Sequence, residues 1–278
     1  MTSVADRARA WLDNGRIPAE HAAALAEGSG TGAAMLDLIG LAAEWARPEI
    51  SGYKVGAVGE GTSGALYLGA NIEFAGAALG QTVHAEQAVV ANAAAHGETG
   101  LVRLAVSAPP CGHCRQFLYE LASASRLEIL LDGRPPAGIA DFLPGAFGPA
   151  DLGVEGGMLD PAAHALAGED ADPLAQAAAA AANRSYAPYS KAYGGGAIRT
   201  GDGRIFSAPY LENAAFNPSL PPLQAAFVQA VLGGCGAADL ASVAIAQGER
   251  SQVDHHRAAA ALLGLIAPAA TLRLVTLG

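Results

Sequence analysis

The 278-residue chain repeats part of itself, and that limits its fold before any single motif does. The ends of Gly56 to Glu73 and of Gly195 to Glu212 lie 17 positions apart in both cases, and the stretches are related by an offset of 139. Each stretch reads as a strand, a glycine-containing turn and a second strand that ends in an acid. The turns are Gly59 to Gly64 and Thr200-Gly201-Asp202-Gly203. Self-similarity of this kind implies one structural unit built twice. The same offset sets Leu223-Gln224-Ala225 against His84-Ala85-Glu86, so the second copy keeps the frame and lacks the polar chemistry.

Periodicity fills in the frame. Residues 1–47 read as helices, with Pro18 in the first turn of a helix over Ala19 to Glu27. A second helix fits Ala33 to Trp45, where Met35, Leu38, Ile39 and Ala42 form an apolar stripe. Strands then fit Tyr53 to Val58, Ala65 to Ile72, Val102 to Ser107 and Leu127 to Leu131. Helices fit His84 to His96 and Cys111 to Ala124. Strands alternating with helices of this length indicate a helix-covered sheet. Gly133 to Pro173, rich in Gly, Pro and Asp, reads as a long connector. The second copy then shows a helix over Leu174 to Asn183, a strand over Leu240 to Ala246 and a last helix from about His255.

Charge and cysteine content remove several classes of function. Acidic residues number 26 against 16 basic, a formal net charge of −10, and only Lys54 and Lys191 are lysines. A nucleic acid would be repelled, since its binding is driven by cationic side chains that displace counterions. Cys111, Cys114 and Cys235 are too few for a disulfide framework and fit a reducing compartment. The uncharged run Asn213 to Ala238 is broken by Pro218, Pro221 and Pro222, so it reads as a Pro-rich loop and a buried helix, not a membrane span. Charges at Asp6, Arg7, Arg9, Asp13 and Arg16 interrupt any signal-peptide apolar region. A cytoplasmic protein is the expectation.

The chemistry concentrates in His84-Ala85-Glu86 and Pro110-Cys111-Gly112-His113-Cys114. Cys-x-x-Cys at a helix start brings two sulfurs within reach of one tetrahedral zinc, and the helix N-terminus favours the thiolate form. One further protein ligand, His84, leaves a fourth position open, as a catalytic zinc requires. Glu86 lies about 200° around an ideal helix from His84. The two can serve one ion only from the first turn, with His84 at its edge. A carboxylate there is suited to carrying protons. His-x-Glu with Pro-Cys-x-x-Cys is the established pattern of zinc-dependent nucleobase deaminases.

On these motifs the sequence resembles the cytidine deaminases, specifically the homodimeric type with an N-terminal helical segment and a degenerate second copy. Two further runs carry the resemblance: Gly69-Ala70-Asn71-Ile72-Glu73-Phe74, and Glu212 through Gln224 with Asn213-Ala214-Ala215-Phe216-Asn217-Pro218 at its start. It implies a three-layer α/β/α core duplicated in one chain. The implied divisions are an N-terminal helical segment 1–47, a catalytic zinc-binding domain 48–150, a connector 151–172 and a non-catalytic domain 173–278. The implied reaction is hydrolytic deamination of cytidine and deoxycytidine in pyrimidine salvage, with zinc-activated hydroxide as nucleophile and Glu86 as proton carrier. The implied zinc ligands, one ion per subunit, are His84, Cys111 and Cys114. Asn71 and Glu73 would hold the ribose 3′-hydroxyl, Ala85 and Pro109 the base edge, and Tyr53 would pack on the pyrimidine, where the family commonly has Phe. In a homodimer, Ala214, Ala215 and Phe216 would cover the partner subunit's site.

Each reading has a plainer rival. A lone Cys-x-x-Cys also suits redox or structural roles. His113 is expected to point outward from its helix. Asn71 and Glu73 also suit a strand end and turn cap, and Glu212 repeats the acid without metal. Arg115 either offsets thiolate charge or is an exposed helical arginine, and Tyr53 suits the core as well as a substrate. His255 and His256 diverge by about 100° and read as a surface helix start, not a metal pair. Cys235 reads as a buried small hydrophobe. Rival activities are deamination of a base in RNA or DNA, which calls for basic or aromatic surface, and a silent zinc-stabilised interaction protein.

Overall fold

Two sheets of matching strand order carry the chain. A computed structural model describes residues 3–168, 170–249 and 251–278. The N-terminal segment contains α1 (Val4–Arg9), the two-residue strand β1 (Arg16–Ile17) and α2 (Ala19–Ala26). The first unit runs α3 (Thr31–Ala42), β2 (Gly56–Gly61), β3 (Leu66–Ala70), α4 (Ala85–Ala95), β4 (Leu101–Val106), α5 (Gly112–Tyr119) and β5 (Glu128–Leu130). β6 (Ala137–Gly138), which pairs with β5, and α6 (Ile139–Phe142) follow. The second unit runs α7 (Pro173–Ala182), β7 (Gly194–Thr200), β8 (Ile205–Pro209), α8 (Pro222–Leu232), β9 (Leu240–Gly248), α9 (His255–Ile266) and β10 (Thr271–Leu277).

The strand orders are β1-β3-β2-β4-β5-β6 and β10-β9-β7-β8. The shared part is the same in direction as well as order. β2 pairs antiparallel with β3 and β4, as β7 does with β8 and β9, while β4/β5 and β9/β10 are parallel. Even the register shift recurs, at Glu60/Gly61 and at Arg199/Thr200, the offset read from the sequence. Helices cover both faces of each sheet. On one face of the first, Leu38 and Leu41 of α3 bury against Val58, Leu66, Leu68 and Ala105. On the matching face of the second, Leu174 and Ala178 of α7 bury against Ala197, Ala244 and Val275. This is the expected duplicated three-layer α/β/α arrangement with a helical N-terminal segment.

Glycine sets how closely each first helix lies on its sheet. A methyl group at Gly56 would run into the Ile39 carbonyl of α3, and one at Gly195 into the Ala178 carbonyl of α7. The opposite faces share a single core, in which α4 meets α8. That contact has a local two-fold character. Gln87 of α4 donates to the Pro218 carbonyl ahead of α8 at 3.0 Å, and Gln224 of α8 donates to the Gln81 side chain ahead of α4 at 2.5 Å. Asn92 and Gln229 face each other farther along the same two helices.

Several elements differ from the sequence reading. Residues 1–47 are not all helical: β1 pairs with β3, and Asn92 donates to the Gly15 carbonyl at 2.9 Å. Pro18 is the N-cap of α2 and not in its first turn. α5 ends at Tyr119 because the chain turns there to pair with the connector, through Met158 N–H to Glu120 O at 2.8 Å and Ala122 N–H to Met158 O at 3.0 Å. β10 was not expected, and its strand completes the second sheet beside β9. Among the described residues, no helix is long and apolar enough to cross a membrane.

Candidate active site

Two helix N-termini meet and bring the three candidate ligands together. His84 is the N-cap of α4, with extended backbone, and Cys111 is the N-cap of α5. His84 therefore stands outside the helix while Glu86 lies in its first turn, which resolves the angular conflict between them. The Cys111 sulfur lies 3.5 Å from His84 Nδ1 and 3.6 Å from the Cys114 sulfur. Ligands about 2.3 Å (sulfur) and 2.0–2.1 Å (nitrogen) from one tetrahedral ion are separated by roughly 3.5–3.8 Å, so the set fits zinc. Among the described residues, no fourth His, Cys, Asp or Glu joins this group.

The electrostatics suit a cation. A hydrogen bond from Cys114, followed by backbone N–H groups of the α5 N-terminus, pulls the Cys111 thiol down to about 4 despite its partial burial. The paired Cys114 is pushed upward, first by its bond to Cys111 and then by burial. Glu86 is buried beside them, and desolvation raises its carboxyl above the ordinary range. His113 does not point outward as expected. Its ring stacks on His84 at 5.2 Å, because α5 starts against the start of α4, and burial lowers its pKa. Arg115 is not an exposed helical arginine. It donates to the Pro110 carbonyl at 2.7 Å and the Phe142 carbonyl at 2.8 Å, tying the cysteine loop to α6.

A cavity of about 260 Å³ opens onto this centre. Its lining includes eight of the predicted residues: Tyr53, Asn71, Glu73, His84, Ala85, Glu86, Pro109 and Cys111. Cys114 is buried beneath it. Asn71 bridges the chain entering β2, accepting from Val55 N–H and donating to the Tyr53 carbonyl, both at 2.9 Å. Glu73 accepts from the N–H groups of Ile50 and Ser51, each at 2.8 Å, and from the Ser51 hydroxyl at 2.5 Å. Burial pushes its pKa up, but these donors outweigh it and hold the carboxyl below the usual range. Tyr53 is a rim residue, 61% exposed, and not core. Ser51, Val55, Thr82 and Ala108 also line the cavity and escaped sequence reasoning. Ser51 was detectable, since Ser190 recurs at the offset of 139.

The comparisons agree with this geometry. Residues 32–129 and 139–260 each match the family described as "Cytidine and deoxycytidylate deaminase zinc-binding region". The cytidine deaminase of Cronobacter sakazakii is 50% identical over 240 residues, which is 86% of this chain and 81% of its own length. The chain belongs to the cytidine deaminase family. Another member, the cytidine deaminase of Yersinia pestis, is 48% identical over 214 residues, 77% of this chain and 73% of its own. A crystal structure of the Mycobacterium tuberculosis cytidine deaminase aligns with 39% of this chain and 89% of that one, at 36% identity and a TM-score of 0.36. Of the two family regions here, the first contains the His84, Cys111 and Cys114 group, and the protein is a zinc-dependent deaminase of this family.

The remaining predicted residues lie elsewhere. Ala214, Ala215 and Phe216 are absent from the cavity lining of their own chain. Ala214 is buried and donates its N–H to Glu120 at 2.8 Å, while Ala215 and Phe216 form an exposed tip. Phe216 has φ +58°, a conformation that costs a non-glycine residue energy and persists only where its surroundings impose it. His255 is not at the surface as expected. It is buried against Tyr210 at 4.4 Å, because the α9 N-terminus plugs the second copy. Cys235 is buried, as expected.

Proposed function

We propose that this protein hydrolytically deaminates cytidine and deoxycytidine to uridine and deoxyuridine with release of ammonia. The observation that carries the reading is the meeting of His84, Cys111 and Cys114 at zinc spacing beside buried Glu86, at the base of an open cavity. These three side chains would hold one zinc per subunit, and the ion supplies the Lewis acidity that makes water a nucleophile near neutral pH. Glu86 takes a proton from water as its oxygen bonds to C4 of the pyrimidine, and passes that proton to N3. It then carries the second proton to the exocyclic amino group, the C4–N bond breaks, and ammonia leaves. Burial keeps the Glu86 carboxyl basic enough to take up a proton and deliver it.

The rest of the cavity fits a nucleoside. The Ala85 backbone and the Pro109 carbonyl hold the base edge, Tyr53 packs on the ring, and Asn71 and Glu73 hold the ribose 3′-hydroxyl. Among the described residues the lining has two carboxylates and no Lys or Arg, so a phosphate would be repelled and neutral nucleosides favoured. The same lack of cations, with a net charge of −10, opposes a polynucleotide substrate. Within this reading the protein is a cytoplasmic homodimer of pyrimidine salvage. The division this reading implies is an N-terminal segment 1–47, whose α3 packs on the first sheet, a catalytic domain 48–150, a connector 151–172 and a non-catalytic domain 173–278. The exposed tip at Ala215 and Phe216 closes the partner's cavity.

Cytidine turnover followed by loss of ultraviolet absorbance tests the activity, with one ammonia expected per cytidine. Glu86→Ala is expected to lower kcat by about 10²–10⁴-fold, the usual share of a general acid–base group, while retaining zinc. Full activity in that variant, no turnover by zinc-loaded protein, or tight tRNA binding at low salt would overturn the reading.

A further inference from the structure

The second copy reaches into the metal centre of its own chain. Gln87, 2% exposed, follows Glu86 in α4 and has both ends of its amide engaged. Its oxygen accepts the N–H of His84 at 3.1 Å, and its nitrogen donates to the carbonyl of Pro218 at 3.0 Å. Pro218 belongs to the loop between β8 and α8. The same loop is held from α5, the helix that starts at the cysteines. Asn213 donates to the Gln116 carbonyl at 3.0 Å, and Ala214 N–H donates to Glu120 at 2.8 Å. Glu120 is fully buried and also accepts from the hydroxyls of Tyr186 at 2.9 Å and Tyr189 at 2.5 Å. One loop of the second copy thus spans the two helices whose N-termini carry the candidate ligands.

We infer that loop 213–219 is an intrachain clamp that fixes His84 relative to Cys111 and Cys114, with Gln87 and Glu120 as positioning residues. Neither residue lines the cavity, so they act through the ligand-bearing helices and not on the substrate. A loose backbone at His84 would swing Nδ1 away from the two sulfurs, and partners that orient metal ligands commonly govern affinity about 10–100-fold. This inference rests on the zinc assignment above.

The test compares Gln87→Leu with Gln229→Leu in the full-length protein. Gln229 lies in the same helix interface, is equally buried and bonds to Asn14, but touches neither ligand-bearing turn. Zinc affinity is read by chelator competition, and ligand geometry by the absorption spectrum of the cobalt-substituted protein. Gln87→Leu is expected to weaken zinc by about 10-fold or more and to shift the cobalt bands. Gln229→Leu is expected to lower Tm alone. If Gln87→Leu does not fold, Gln87→Glu carries the same expectation, since it keeps the acceptor for His84 N–H and puts an oxygen against the Pro218 carbonyl. Unchanged zinc affinity in the folded Gln87 variant, or an equal loss in Gln229→Leu, overturns the clamp. A wild-type protein that binds no zinc or leaves cytidine intact would instead overturn the deaminase reading.

Discussion

At Glu73 and at Glu212 the two copies hold the same carboxylate in the same clamp. Glu212 accepts from Tyr189 N–H at 2.8 Å and Ser190 N–H at 3.2 Å, matching Ile50 and Ser51 at Glu73. The backbone around them matches as well. Arg47 N–H donates to Asn71 O at 2.8 Å and Tyr186 N–H to Tyr210 O at 3.0 Å. What differs is the filling. At the positions of Tyr53 and Asn71 the second copy has Ala192 and Tyr210, and His255 packs between them, donating through Nε2 to the Ala192 carbonyl at 2.9 Å. Where the first copy has His84 and Cys111 as N-caps, the second has Pro221 and Asp254; the helix start puts Pro221, and not the Leu223 expected from the offset of 139, opposite His84. A cavity in one copy is core in the other. The acid is therefore a turn clamp of the fold, on which the first copy has superimposed a pocket.

The largest expected effect separates the two N-caps. Cys111→Ala should abolish stoichiometric zinc. Asp254→Ala should leave metal content unchanged and cost about 0.5–2 kcal/mol in denaturant unfolding, since its side chain caps Arg257 N–H. Zinc retained by the first variant would break the comparison. Next come the glycines that set helix-to-sheet distance in both copies. Gly56→Ala and Gly195→Ala should each destabilise by about 1–3 kcal/mol or more, because the added methyl meets backbone that cannot rotate away. A large cost in one copy alone would show that the two scaffolds are not equivalent.

The clamp itself sharpens the contrast. Glu73→Ala and Glu212→Ala each orphan two backbone donors, and each should cost about 1–3 kcal/mol. Only Glu73→Ala should raise KM for cytidine, and a comparable KM change in Glu212→Ala would remove the distinction. The smallest effect is a pH dependence. Burial lowers the pKa of His255 below its unfolded value of about 6.5. The unfolded chain then binds the extra proton, so this contribution is complete above about pH 6.5 and is lost as pH falls toward the folded pKa. Tm should drop less between pH 7.5 and 5.5 in His255→Leu than in the unsubstituted protein. An equal or steeper drop in the variant would count against a neutral plug.

The candidate site was legible because its residues are chemically unusual and sit beside helix starts. His84, Cys111 and Cys114 as candidate ligands, with Glu86 beside them, need only local geometry to be recognised. The repeat was legible because Gly56/Gly195 and Glu73/Glu212 are fixed by backbone demands that recur with the fold. Gln87, Glu120 and His255 were not legible. Each gains its meaning from a partner far along the chain, and nothing in a buried amide or a helical acid announces which carbonyl or hydroxyl it will meet. β10 escaped for a related reason: its burial comes from one neighbouring strand and from α7 and α9, and the run shows no clear alternation.

Sequence alone determined that a unit was built twice and that one copy carries donors suited to zinc, since periodicity and donor chemistry are properties of short stretches. Only the tertiary structure decided that His255 closes the second pocket, that His113 lies against His84, and that one loop joins both helices that carry the candidate ligands. Those outcomes depend on which surfaces remain to be covered once the sheets and helices have packed, and burial is a property of the whole chain.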